Sequence, residues 1–524
     1  MLDLGRTFLQ SVERSPHAVA LVDRELRLSY AQWALRVGAV QCALTGLGLK
    51  RGDHLLAVLQ NRWEMATLHW ACQFAGIVIT PLNWRAKADE IDYCLGDSGA
   101  RVLVFEPVAH EAVDGSAEAR RVQRIGVGAV QDATAHFDDW LTAPSEPVPQ
   151  ASAEDLSLML YTSGTTGKPK GVPRRQRAER IAALAHVAQN RYAQGERTLG
   201  VMPLYHTMGV RSLLALALLD GRFVCMPKFD AGRALLAIQG EQLTHLYLVP
   251  TLYHELLSHP EFSRTDISRV RKLGFAGAPM HDALLLRLTE AFQPELFVNH
   301  YGSSEIYTFA VNQNAVAKPG SAGRAGINAR LRVVKLDSTN PEALAAQGEE
   351  GQILAELAGD EAFESYHNRP DANAKSLREG WYFTGDTGYF DVDGDLYVTG
   401  RVDDMIISGG ENISPVDIES VLSLHPAVDE VAVAGLRDER WGQRVVAFVK
   451  TREPVAADAL DAHCRLSDLV NFKRPREYVF VQEIPKSPVG KVLRRKLVAG
   501  EFETARAVPP TPESPSKQES THET

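Results

Sequence analysis

The residues best suited to chemistry lie between Tyr161 and Gly171. Tyr161-Thr162-Ser163-Gly164-Thr165-Thr166-Gly167-Lys168-Pro169-Lys170-Gly171 packs three glycines, four Ser/Thr hydroxyls and two lysines into eleven residues. Glycines let backbone N–H groups turn toward an anion, and the hydroxyls and lysines add donors and positive charge. A loop of this kind can cradle nucleotide phosphates. It follows the apolar run Leu156–Tyr161, which reads as a buried strand. A Walker A loop is excluded: that motif needs G-x-x-x-x-G-K followed by Ser or Thr. Here Gly164 lies three residues before Gly167, Thr162 occupies the position five before it, and Pro169 follows Lys168. The bland alternative is a surface loop rich in small residues.

Further segments carry carboxylates, aromatics and lysines in a fixed series. They are Tyr301-Gly302-Ser303-Ser304-Glu305, Tyr382-Phe383-Thr384-Gly385-Asp386 and Gly400-Arg401-Val402-Asp403-Asp404. Ser408-Gly409-Gly410-Glu411-Asn412-Ile413 and Pro485-Lys486-Ser487-Pro488-Val489-Gly490-Lys491 complete it. The series resembles the ordered signatures of the adenylate-forming superfamily: acyl-CoA synthetases, adenylation domains and luciferases. The resemblance runs from about Leu4 to Leu497. Within it the chain is most similar to bacterial aryl-CoA ligases of the 4-chlorobenzoate–CoA ligase type. Arg401–Ile413, Arg440-Trp441-Gly442-Gln443 and Phe472-Lys473-Arg474-Pro475 carry that likeness.

The resemblance implies an ATP-dependent acid–CoA ligase using ATP, Mg²⁺ and coenzyme A. A carboxylate is a poor electrophile, and transfer of AMP to it creates a good leaving group. Such an enzyme must neutralise the triphosphate, align the acid with the α-phosphorus and exclude water. Positioning and electrostatics then matter more than covalent catalysis. By the resemblance, Thr162, Ser163, Gly164, Thr165, Thr166, Gly167 and Lys168 hold the phosphates. Glu305 is the magnesium ligand, since Mg²⁺ favours a carboxylate oxygen beside waters and phosphate oxygens. Ala278, Asn299, Tyr301, Gly302, Ser303 and Ser304 frame the nucleotide. Asp386 takes the ribose hydroxyls and Arg401 bridges toward the phosphates. Lys491 is the catalytic cation, offsetting charge that builds at the α-phosphate.

For the second half-reaction the resemblance implies rotation of a small C-terminal domain about Asp403. That rotation exchanges Lys491 for the Gly409–Gly410 segment, whose small residues suit a pantetheine tunnel. Trp441 then packs on pantetheine, while Arg85, Phe472, Arg474 and Arg476 grip the CoA nucleotide. His206 is a gate beside the acyl pocket, and the pocket itself draws on His206, Thr207, Met208, Ala278, His300, Gly302, Tyr307 and Thr308. Each residue also has a plain reading when taken alone. Glu305 is an acid at a helix start, Asp386 a turn aspartate, and His206 a packed loop histidine. Arg401 and the CoA arginines are surface charge, and Lys491 is one lysine among several.

Bulk properties agree with a small-molecule enzyme. The chain has 524 residues, so two or three domains are expected. With 45% hydrophobic and 23% charged residues it has ample material for large cores. A net charge of −10 argues against nucleic acid as a partner. Neither a signal peptide nor a membrane span is expected. Five scattered cysteines support neither a disulfide framework nor a zinc site, and a cytoplasmic setting fits them.

These side chains need elements to position them. Trp63–Ala75 has helical spacing, and the segments 76–80, 101–105, 223–226, 246–249 and 296–299 read as strands. His281–Phe292 is an amphipathic helix between strands. Such alternation implies parallel sheets covered by helices. From about Arg324 the texture becomes a small β-rich module. Beyond Asp403 it turns α+β, with helices over Pro415–Leu424 and Ala457–Leu469 and strands over Val428–Ala434 and Val445–Lys450. The expected fold is therefore α/β: a large N-terminal domain over 1–402 of parallel-sheet α/β subdomains plus a β-rich module. A small mobile α+β C-terminal domain follows over 403–505, and 506–524 is a disordered tail. Pro173 leaves the start of the helix after Gly171 open.

The expected partners are a small-molecule carboxylic acid, ATP and CoA, and a homodimer is allowed. The acid is read as aromatic and ring-substituted, in aromatic degradation, with polar tips from His300 and Tyr307 in a mainly apolar pocket. Two other readings stay open within the family: a short- or medium-chain aliphatic acid–CoA ligase, and a stand-alone adenylating enzyme loading a carrier protein. Outside it stands a nucleotide-binding protein without catalysis.

Overall fold

Apolar strand segments with no polar face can be satisfied only in sheets covered on both sides. The computed structural model, which describes residues 2–162, 169–486 and 492–505, places them so. It divides into two compact units, the larger holding Met1–Met280 and Leu284–Val398 and the smaller holding Thr399–Ser487. The division falls just ahead of residue 402. Residues 506–524 lie outside the described residues.

In the larger unit one sheet runs through Ala135–His136, Gln123–Gly126, Val102–Phe105, His54–Val58, Val78–Pro81 and Leu156–Thr162, all parallel where paired. The last strand pairs antiparallel with Lys170–Arg175, which ends the sheet. A second sheet carries Val19–Asp23, Arg222–Cys225, Arg197–Gly200, His245–Leu248, Lys272–Phe275 and Leu296–Tyr301 in parallel. Antiparallel pairing begins at Ala310–Asn312 and continues through Ser321–Ala325 to Leu396–Arg401. The β-rich module adds Leu331–Lys335, Gly351–Glu356 and Trp381–Phe390. Trp63–Ala75 forms a helix as its spacing predicts, and from Glu64 to Ala75 every residue is buried.

Two segments differ from expectation for local reasons. After Gly171 the chain makes a strand before the helix Gln176–Gln189 begins. Pro173 sits opposite Met159 in that strand. A proline lacking its N–H is tolerated there because the strand is at the sheet edge. The helix expected over Ala457–Leu469 stops at Leu466, because Ser467 is extended at φ −88°, ψ 173°.

The smaller unit is a sheet of Glu411–Ile413, Ile406–Ser408, Gly442–Thr451 and Val428–Asp438, with Glu477–Phe480 parallel to Gly442–Thr451. Its core joins Ile406, Ile418, Leu422, Val431, Val445 and Leu460 from sheet and helices. Among the described residues, no helix is long and apolar enough to cross a membrane.

Candidate active site

In open parallel sheets, ligand sites form beyond the carboxyl ends of the strands. Two such ends carry the predicted chemistry. The strand Leu156–Thr162 delivers the glycine-rich loop; of that loop Ser163, Gly164, Thr165, Thr166, Gly167 and Lys168 lie outside the described residues. Both flanks of the loop are tied to one helix, Ala88–Ser98. The Tyr161 hydroxyl donates to Asp97 Oδ2 at 2.7 Å, and the Tyr93 hydroxyl donates to the Pro169 carbonyl at 2.9 Å. The two rings meet edge-on at 6.1 Å. Burial, with the bond to Asp97, holds the Tyr161 phenol well above its usual range. Thr162 pairs with Lys170 across the hairpin, and Lys170 Nζ lies 4.2 Å above the Tyr366 ring.

The second end is Leu296–Tyr301. Asn299 Nδ2 donates to the Ser321 carbonyl at 2.9 Å, and the Tyr301 hydroxyl donates to Asp386 Oδ2 at 2.5 Å. The predicted adenine and ribose segments are thus joined directly. Asp386 is oriented from below, its N–H donating to Thr384 Oγ1 at 3.0 Å. Gly302 is required: a Cβ there would land inside the Tyr307 carbonyl. Ser303 and Ser304 are half-buried, and Ser303 Oγ accepts from the Glu305 N–H at 3.2 Å, shaping the turn.

Glu305 is 5% exposed. Its Oε1 accepts from the Tyr366 hydroxyl at 2.6 Å, and Tyr366 touches the Tyr382 hydroxyl at 3.3 Å. Burial first, then the Glu305 charge, pushes both phenols upward, so they remain donors. Buried carboxylates are usually paired or bind a metal. No Lys, Arg or His forms an ion pair with Glu305 among the described residues. A hard, buried oxygen donor fits Mg²⁺.

Behind this turn lies a polar cluster that the sequence reasoning missed. Arg174 and Glu179 are both fully buried, with Nε to Oε1 at 2.7 Å. Arg174 Nη1 donates to the carbonyls of Glu305 at 2.9 Å and Glu361 at 2.6 Å. The Tyr307 hydroxyl donates to Glu179 Oε2 at 2.9 Å, and Arg174 sits 4.1 Å over the Tyr307 ring. The one available signal was the basic, proline-containing run Val172-Pro173-Arg174-Arg175-Gln176.

His206 caps the helix Thr207–Leu218, its Nδ1 accepting from the Met208 N–H at 3.4 Å. Thr207 and Met208 are buried and Ala278 is half-buried beside Gly277, whose Cβ position lies 3.8 Å from Met208 Sδ. His300, Tyr307 and Thr308 are each 2% exposed. Their polar tips face buried partners: Asn190 for His300, Glu179 for Tyr307, Arg211 for Thr308. The wall expected to be mainly apolar is backed by hydrogen-bonded groups. Burial drives the His300 and His186 imidazoles well below their usual range, so both are neutral.

Arg85 is exposed and lies 3.7 Å over Trp84. In the smaller unit the Gly409 N–H donates to the Trp441 carbonyl at 2.8 Å. A Cβ on Gly409 would press the Trp441 ring at 2.9 Å, and Gly410 follows with φ +89°. Trp441 and Phe472 are 40% and 42% exposed, and Arg440 covers Trp441 at 4.7 Å. Arg476 is exposed, whereas Arg474 turns inward to Asp461 at 3.2 Å. Arg401 precedes the short turn Val402–Asp404, which exposes Asp403. Lys491 lies outside the described residues, but its flanks are anchored. Lys486 pairs with Glu430 at 2.7 Å, and Arg494 holds both Glu419 oxygens at 2.6 and 2.7 Å.

Two other features have internal explanations. Asp391, Asp393 and Asp395 cluster, but the Lys318 ammonium already bonds all three. In a cavity lined by Asp23, Arg24, Arg62, Trp63 and Glu106, Arg62 pairs with Glu106 at 2.9 Å and Glu64 at 2.6 Å, and Asp23 accepts from the Trp63 N–H at 3.0 Å.

Known proteins share this chain's sequence pattern and fold. Residues 8–367 match the model of the AMP-binding enzyme family, and residues 417–491 match that of the AMP-binding enzyme C-terminal domain. A 4-chlorobenzoate–CoA ligase of an Arthrobacter species is 34% identical over 93% of each chain. A long-chain-fatty-acid–CoA ligase of Mycobacterium tuberculosis is 30% identical over 95% of this chain and 98% of its own. The crystal structure of an anthranilate–CoA ligase in complex with anthranoyl-AMP superposes with a TM-score of 0.87. It is 27% identical, and the match covers 95% of this chain and 97% of that one.

Proposed function

The chain belongs to the AMP-binding enzyme family, and from that premise we propose that it is an ATP-dependent carboxylic acid–CoA ligase acting on an aromatic acid through an acyl-adenylate. The observation that carries this is the direct linkage of the Tyr301–Glu305 turn to Asp386 and Tyr366. It brings the Asp386 carboxylate of the strand Trp381–Phe390 against the turn that carries the buried Glu305.

In this reading Asp386 accepts from the ribose hydroxyls, with Tyr301 fixing which oxygen faces the sugar. Glu305 would hold Mg²⁺, which when bound offsets phosphate charge. Tyr366 keeps the Glu305 carboxylate turned to one side. The brace from Tyr93 and Asp97 on the helix Ala88–Ser98 fixes the flanks of the phosphate loop. Lys491 supplies the cation at the reacting phosphate, from a segment held by Arg494 and Lys486. Gly409, Gly410 and Trp441 receive pantetheine, and exposed Arg85, Phe472 and Arg476 take the nucleotide of CoA. Arg474 serves instead to fix the Asp461 helix. The aromatic assignment is supported by the aryl relative and the anthranilate ligase likeness. The free cysteines, four of them buried, suit a reducing cytoplasm.

The test is CoA-dependent AMP release over substituted benzoates and C4–C12 fatty acids. A higher kcat/KM for benzoates supports the reading; a clear preference for aliphatic chains ends it. Release that needs a carrier protein rather than CoA assigns the acceptor differently.

A further inference from the structure

A guanidinium buried without a carboxylate is costly, and proteins seldom keep one without a use. Arg211, 2% exposed, is such a group. Its Nη1 donates to the Thr308 hydroxyl at 2.8 Å and the Tyr307 carbonyl at 3.3 Å, and its Nη2 donates to the Tyr247 hydroxyl. All three acceptors are neutral. No Asp or Glu forms an ion pair with Arg211 among the described residues; Glu179 and Glu361 feel its charge only at longer range. Arg174 makes the contrast, since it is equally buried but sits on Glu179 at 2.7 Å.

Arg211 also has spare capacity. Among the described residues its Nε has no hydrogen-bond partner, and neither do His300 Nδ1 and His186 Nε2. These atoms belong to one packed set: His186 and His300 lie 5.2 Å apart, and Tyr247 lies 5.5 Å from His300. The set lies directly behind His300, Tyr307 and Thr308, the residues read as one wall of the acid pocket. Arg211 is one helical turn past the His206 cap, and it bonds the two residues that follow the Gly302 turn.

Resting on the aromatic-acid reading above, we infer that Arg211 anchors the far end of the acid, so that the preferred substrate carries a second anionic group remote from the carboxylate that reacts. The class is a ring dicarboxylate or an equivalent anion-bearing aromatic acid. The neutral His300 and His186 rings add donors or acceptors around that group. The second carboxylate supplies the counter-charge that the fold withholds from Arg211.

The test is a matched pair, terephthalate against benzoate, scored as the ratio of their kcat/KM values in the complete reaction with ATP, Mg²⁺ and CoA. The wild type should favour terephthalate by about 10- to 100-fold, the range of one charge-assisted bond. In R211M the ratio should collapse toward one, and R211K should retain part of it. A merely structural arginine would lower both acids alike and leave the ratio unmoved, which overturns the inference. So does a wild-type ratio at or below one, a measurement that needs no variant. Adipate against hexanoate is the second pair. Should no aromatic acid react, the aromatic reading falls, while the adipate ratio still decides the role of Arg211.

Discussion

Removing Arg174 tests whether the polar cluster behind the Glu305 turn holds the site in place. In R174M the buried Glu179 loses its 2.7 Å partner, and the Glu305 and Glu361 carbonyls lose their donor. Breaking a buried pair from one side costs about 3–5 kcal/mol. Burial already raises the Glu179 carboxyl, and Arg174 opposes that rise. Without the arginine Glu179 takes up a proton, which limits the loss to that range. E179L leaves Arg174 uncompensated and should cost about the same. The double variant R174M/E179L removes both charges. It keeps only the cost of unpaired carbonyls and of the Tyr307 hydroxyl, about 1–3 kcal/mol each. Urea unfolding of the four proteins gives the cycle, and the double variant should fall at least about 2 kcal/mol short of the summed single losses. KM for MgATP should rise in R174M, because the Glu305 carbonyl has lost its tether. Single losses below about 1 kcal/mol, or additivity within about 0.5 kcal/mol, would refute the reasoning.

The remaining predictions concern individual side chains. Y161F removes the bond to Asp97, worth about 1.5–3 kcal/mol, and should raise KM for ATP about ten-fold while moving KM for the acid less; an unchanged KM for ATP dismisses the brace. G302A forces the turn away from the Tyr307 carbonyl, and a shift of that kind should lower adenylation about 100-fold in pyrophosphate exchange. His69 is 1% exposed and burial lowers it from 6.5 to about 4. The unfolded chain binds its proton first, so stability falls as pH drops from 6.5 to 4, by about 3 kcal/mol from this residue. H69L should remove that part of the acid sensitivity in urea unfolding run at pH 7 and pH 4.

Elements with one strong period were legible in the sequence. Trp63–Ala75 carries helical spacing and is a helix to the residue. The strand at Leu156 was legible because an apolar run bounded by glycine allows little else. The strand Lys170–Arg175 was not, since Pro173 and two arginines speak against a strand unless its edge position and the Glu179 partner are known. Of the candidate site, Tyr301, Glu305 and Asp386 could be named, being carried on short contiguous signatures. That Tyr366 touches Glu305 across 61 positions is a tertiary fact with no local pattern. The polar partners of His300 and Tyr307 were hidden for the same reason. A sequence marks an arginine within an apolar helix as odd, but only packing shows that Arg211 has no counter-ion among the described residues.

The products of ATP test the central claim most directly. Phosphorus NMR of the enzyme with ATP, Mg²⁺, CoA and a substituted benzoate should show AMP and pyrophosphate, formed only when the acid is present. ADP and inorganic phosphate, or ATP breakdown indifferent to the acid, would contradict a nucleotide bound for transfer of its adenylate.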